Sequence, residues 1–73
     1  MQKWEYVILV RRFYSTGHTM WVDEQWGKKS GEEVLDECGA HGYELVSTVN
    51  VGETKEALKV YSTLQYILKR PKA

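Results

Sequence analysis

One cysteine in the whole chain, Cys38, excludes an internal disulfide and suits a reducing compartment. No sign of charge is in excess. Ten basic and ten acidic side chains give a formal net charge of zero, which removes the electrostatic footprint of a general nucleic-acid binder. The longest apolar run, Tyr6 to Val10, is far short of the roughly 18 residues that a membrane span needs, and the opening Met1-Gln2-Lys3-Trp4 lacks the pattern of a signal peptide. Internal repeats, low-complexity segments and linkers are also missing. Residues 1–73 therefore read as a single small α+β domain, cytoplasmic, with no membrane and no nucleic acid among its expected partners. At this length a core is barely sufficient, since so small a domain buries only about 60% of its unfolded surface.

What is present is organised around Ser30 to Val49, a short helix that turns directly into a strand. Ser30 followed three residues later by Glu33 predicts a capping box and a helix start near Gly31. Glu32, Glu33, Asp36 and Glu37 lie near the positive end of the helix dipole, where acidic side chains are favoured. Val34, Leu35, Cys38 and His41 follow at helical spacing as one narrow apolar stripe. Gly39 costs about 1 kcal/mol relative to Ala inside a helix, and the reading preferred here is that a neighbouring strand approaches too closely for a side chain. Gly42 then serves as the left-handed glycine that ends the helix, and Tyr43 to Val51, rich in β-branched residues, reads as a strand.

Trp4 to Tyr14 is a long strand candidate that is apolar on both faces, with Trp4, Tyr6, Ile8 and Val10 on one and Val7, Leu9 and Phe13 on the other. Ser15-Thr16-Gly17-His18 is a turn, and Thr19 to Asp23 a short return strand. Glu24 to Lys29 is a polar connection around Trp26, which either folds over a core edge or, with Trp21, forms a stacking platform or subunit contact. Gly52-Glu53-Thr54-Lys55-Glu56 reads as a polar turn into a last strand, Ala57 to Lys69. That strand has Leu58, Val60, Leu64, Tyr66 and Leu68 on one face, Tyr61 and Ile67 on the other, and Pro71 at its end. The fold expected is α+β, an antiparallel four-stranded sheet with chain order β-β-α-β-β and one helix packed on one face.

Strands of 11 to 13 residues span roughly 36 to 43 Å, whereas an 11-residue helix is about 16 Å long and roughly 10 Å across. One helix cannot cover a face of such a sheet. The remaining apolar positions, Val7, Leu9, Phe13, Tyr61 and Ile67 among them, are expected to be buried by a second subunit, face to face or edge to edge about a twofold axis.

Three segments resemble a known family: Trp4-Glu5-Tyr6, then Leu35-Asp36-Glu37-Cys38-Gly39-Ala40-His41-Gly42-Tyr43-Glu44-Leu45-Val46, then Lys69-Arg70-Pro71. They are similar to W-E-Y, L-N-x-L-G-x-x-G-W-E-L-V and K-R-P in the small bacterial and phage family called domain of unknown function 4177. Tyr43 replaces its usual Trp, Asp36 its Asn, and the stretch from Phe13 to Lys29 is longer. The resemblance implies a small α+β domain and no established activity or site residues.

Catalytic candidates are few. Cys38 and His41 share a helical face, so a thiolate–imidazole pair or half of a metal site is conceivable. A zinc site needs three or four ligands, and the only other histidine, His18, sits on a distant turn. The favoured reading makes Cys38 a small buried hydrophobe and His41 a helix-end residue. The acidic run 32, 33, 36 and 37 lacks the glycine-centred loop of a calcium hand, and neither a Walker nor a dinucleotide fingerprint is present. No enzyme, cofactor or metal is therefore expected.

Arg11, Arg12, Tyr14, His18, Trp21, Trp26 and Lys28, together with Lys29, fall within a short stretch that strand pairing gathers at one end of the sheet. Guanidinium and aromatic faces suit a nucleotide or another anionic aromatic ligand. The competing view makes the arginines outward strand residues that discourage edge pairing and the aromatics core or interface. The function expected is that of a non-enzymatic, homo-oligomeric binding module. It would sequester a small anionic ligand such as a signalling nucleotide, in the manner of a phage counter-defence protein. The alternative is a protein–protein adaptor using the apolar sheet face or the basic-aromatic end.

Overall fold

The computed structural model describes residues 1–56 and 59–72. Strand β1 runs Trp4–Tyr14, β2 Thr19–Trp21, helix α1 Gly31–Ala40, β3 Glu44–Glu56 and β4 Lys59–Pro71, with a short 3-10 turn at Glu24–Trp26. The strands form one antiparallel sheet in the spatial order β2-β1-β4-β3, so the two chain-terminal strands are its centre. This is the expected α+β architecture with one helix on one face.

Local chemistry explains the helix. The Ser30 hydroxyl accepts from the Glu33 backbone N–H at 3.2 Å and the Glu33 carboxylate accepts from the Ser30 N–H at 3.3 Å, so two otherwise orphaned donors are satisfied. Gly42, at φ 88°, turns the chain back toward the sheet beyond the helix end. A Cβ added at Gly39 would meet nothing within 4 Å, so no strand presses on it and the expected close approach is absent.

The pairings Val7↔Leu68, Leu9↔Tyr66 and Arg11↔Leu64 put odd-numbered β1 residues and even-numbered β4 residues on the helix side. There Leu9, Trp21, Val34, Cys38, Tyr66 and Leu68 form the core, with Val7, Trp26, Leu35, Tyr43 and Leu64 packed around it. Leu9 is only 6% exposed beneath the helix. It needs no second subunit, and Val7 likewise packs within the chain. On the opposite face Tyr6 is 61% and Ile8 58% exposed, whereas Tyr61 on that face is buried without a second subunit; on the helix side Leu45, paired with Leu68, is left 46% exposed.

Two boundaries differ from expectation. Strand β2 stops at Trp21 rather than Asp23, because the chain leaves the sheet for the 3-10 turn that the Asp23 side chain caps. Residues 52–56 are not a turn but the far part of β3. Gly52, at φ 103°, sits where the β3–β4 register slips between Asn50 and Gly52, so its backbone freedom serves a bulge. The expected start of the last strand, Ala57 and Leu58, lies outside the described residues.

Candidate functional site

The register of the β1–β2 hairpin decides which basic and aromatic residues meet. Arg11 pairs with Trp21 and Arg12 with Met20. Adjacent strand residues point to opposite faces, so the two arginines cannot serve one site. Arg11 lies on the helix side. Arg12 lies on the open face, its guanidinium 4.9 Å from the centre of the Tyr61 ring.

Arg11 is held by aromatic rings. Its Cζ is 5.1 Å from the Phe13 ring centre and 5.0 Å from that of Trp21. Trp21 is 4% exposed, packs on Tyr66 at 5.6 Å between ring centres, and donates from Nε1 to the Lys29 carbonyl at 2.7 Å. Trp21 is thus a core residue that positions Arg11 and ties down the segment before α1. It has no free face of the kind a stacking platform requires.

The Arg11 guanidinium reaches the start of α1. A Cβ at Gly31 would lie 2.7 Å from Nη1, so glycine there leaves room for the arginine. Among the described residues its only hydrogen bond is a long one, from Nη2 to Thr19 Oγ1 at 3.5 Å, and its Nε is buried without a partner. A guanidinium beside the positive end of a helix is electrostatically unfavourable unless an anion joins it.

Around Arg11 an open cleft of about 500 Å³ is lined also by His18, Thr19, Trp21, Lys28 and Lys29, with Ser30 at its helix side. Lys29 is partly committed, its Nζ 2.6 Å from Glu37 Oε2. Four of the seven residues expected to bind, Arg11, His18, Trp21 and Lys28, therefore border one cleft. His18 also borders a second hollow, of about 360 Å³, with Tyr14, Met20 and Lys59; its ring lies 5.8 Å from that of Tyr14, whose hydroxyl donates to Met20 Sδ at 3.5 Å.

Trp26 belongs to neither. It packs against the core and borders a third hollow, of about 330 Å³, with Leu9, Cys38, Tyr43 and Arg70, and its buried Nε1 has no partner among the described residues. The expectation that it folds over a core edge describes it correctly. Arg70 in that hollow is committed to Glu5 and to the His41 carbonyl at 2.8 Å.

Thr19 and Gly27 also line the Arg11 cleft and Gly31 borders the guanidinium, and the sequence marks none of the three as a site residue. A readable signal existed only for Gly31: glycine at the first helical position, immediately after a capping serine, where a good helix former is the ordinary choice.

Cys38 is buried in the core, and burial followed by the nearby Glu37 charge pushes its thiol pKa up. That is the opposite of an activated nucleophile. His41 caps the helix end and is exposed. Among the described residues no three His, Cys, Asp or Glu side chains gather as a metal ion would require, and no helix is long and apolar enough to cross a membrane. No protein-family model, no curated protein and no solved structure matches the chain.

Proposed function

We propose that this protein is a non-enzymatic binding module, homo-oligomeric and cytoplasmic, that holds a small anionic ligand in the cleft between the β1–β2 hairpin and the start of α1. The observation that carries this reading is Arg11: a guanidinium whose buried Nε has no partner among the described residues, set against a helix N-terminus and sharing its cleft with His18, Lys28 and Lys29. Such a cluster favours a phosphate-bearing ligand, through charge-assisted hydrogen bonds from the guanidinium fork. Because Trp21 is buried beneath Arg11, a nucleotide would be recognised chiefly by its phosphates, with exposed His18 beside them. Arg12, Tyr14 and Trp26 take no part.

Capture by sequestration needs no catalytic group, only affinity and copy number. The test is thermal unfolding with pyrophosphate and with a panel of nucleotides. At a concentration of about 100 Kd the ligand stabilises by about 2.7 kcal/mol, which moves the Tm of a domain this size by on the order of 10 °C. A flat response to every anion at millimolar concentration would remove this reading and leave the adaptor, for which the exposed Tyr6 and Ile8 on the open sheet face are the supporting feature.

A further inference from the structure

The homo-oligomer in the reading above has no interface assigned to it, and the sheet offers two surfaces for one: the outer edge of β3 and the face away from α1. We infer that a second copy of this chain covers the open face, sheet against sheet about a twofold axis, through Tyr6, Ile8, Val10, Ile67 and Val49.

The face is uncovered for a reason of size. Helix α1 has 10 residues, about 15 Å of length, and lies on the other side, whereas β4 with 13 residues runs about 43 Å. Its apolar residues are contiguous. In register, Ile8 pairs with Ile67 and Val10 with Gln65 across β1 and β4, and these continue to Ser47 and Val49 on β3. These two central rows contain no charge, whereas Tyr6 shares its row with Lys69 and Glu44 and the row beyond Val10 holds Arg12, so the ionic desolvation cost falls on the rim of the face.

The charges that flank the rows are already engaged. Lys69 lies 4.1 Å from the Trp4 ring centre and 3.8 Å from Glu44 Oε1, and Arg12 stacks over Tyr61. The area is adequate as well. The molecule extends 48 × 22 × 16 Å, so the outline of the full face, with its charged rows as a polar rim around the apolar centre, is on the order of 770 Å², close to the roughly 800 Å² per partner of a stable interface. A self-complementary apolar face needs only a twofold axis to be buried on both copies.

The β3 edge is the weaker surface. All 13 of its residues are exposed, but the register slips between Leu45 and Ser47 and again between Asn50 and Gly52. Such bulges twist an edge away from regular pairing with another strand.

The experiment is sedimentation of the full chain and of Ile8→Glu and Val49→Lys, both at positions exposed in the single chain, where either substitution is tolerated by the fold. The wild type is expected at twice 8.5 kDa, and each variant at 8.5 kDa or with a dimer Kd raised at least tenfold, with an unchanged circular dichroism spectrum. Amide exchange of the wild type should leave the outer edge of β3 unprotected at every concentration. A monomeric wild type, a dimer that survives both substitutions, or β3 amides that gain protection as concentration rises would each overturn the inference. The pyrophosphate-induced Tm shift, measured on the same samples, separates the two readings. Loss of the dimer with the shift retained leaves both standing, a dimer without the shift defeats only the anion cleft, and a shift in a monomeric wild type defeats this interface and the homo-oligomer while the anion cleft stands.

Discussion

The Trp21 indole lies beneath the Arg11 guanidinium at 5.0 Å and donates its own N–H to the Lys29 carbonyl at 2.7 Å. One buried ring thereby fixes both a cation and the chain segment that brings Lys28 and Lys29 to the same cleft. Arg11→Lys keeps the charge and loses the planar fork, so pyrophosphate binding should weaken on the order of tenfold, as for loss of about 1.4 kcal/mol. Arg12→Ala, on the opposite face, should leave it unchanged. Titration calorimetry of the two variants checks this, and equal losses at both would contradict the assignment of the cleft to Arg11.

Trp21→Phe keeps a ring under Arg11 and deletes the donor to Lys29. The cost should be about 2–4 kcal/mol: about 1 kcal/mol for the lost hydrogen bond and the rest for the space left in the core when a 4% exposed indole becomes a phenyl ring. Urea denaturation measures it. A loss below about 1 kcal/mol would mean that the core closes around the smaller ring and that water replaces the indole at the carbonyl.

What could be read from the sequence is what local physics decides. The Ser30–Glu33 box, the φ 88° at Gly42 and the span of β1 each follow from a few neighbouring residues, and the structure has all three. What could not be read depends on distant partners. Gly52 within a run of polar residues signals a turn and a bulge equally, and only pairing with β4 distinguishes them. The spatial order β2-β1-β4-β3 places β1 against a strand 45 or more residues away, so which side of β1 lay under the helix, and with it the burial of Leu9, was not locally encoded. The site was half legible for the same reason: Arg11 and Arg12 are equivalent as text, and the hairpin register alone assigns one to the cleft and the other to the open face.

The three glycines should respond with opposite signs. A Cβ at Gly39 meets nothing, and the position is helical, so Gly39→Ala should stabilise by about 0.5–1 kcal/mol and raise Tm by several degrees. Gly42 and Gly52 hold φ of 88° and 103°, where a side chain is strained, so alanine at either should destabilise by roughly 1–2 kcal/mol. Paired thermal melts decide it. A destabilising Gly39→Ala would show that something packs on that helix face, a partner surface included.

Cys38 gives a prediction in pH. Its thiol pKa is raised in the folded protein, first by burial and then by Glu37, so the folded state keeps its proton over a range where the unfolded chain has lost it. Fewer protons on the unfolded state mean that stability falls as pH rises. The contribution is complete below the ordinary thiol pKa of about 8.5 and is lost as pH climbs from there through the raised folded value, with a slope of at most about 1.4 kcal/mol per pH unit. Denaturation between pH 7 and 10 should show this decline in the wild type and a flatter profile in Cys38→Ala, whose overall stability is lower because the substitution leaves a gap beside Val34 and Leu68 in the core. Iodoacetamide should label Cys38 only at the rate of unfolding or local opening, far below the rate for the denatured chain. Rapid labelling of the native protein would instead mean that α1 lifts from the sheet, and that the thiol is available for chemistry the folded core otherwise prevents.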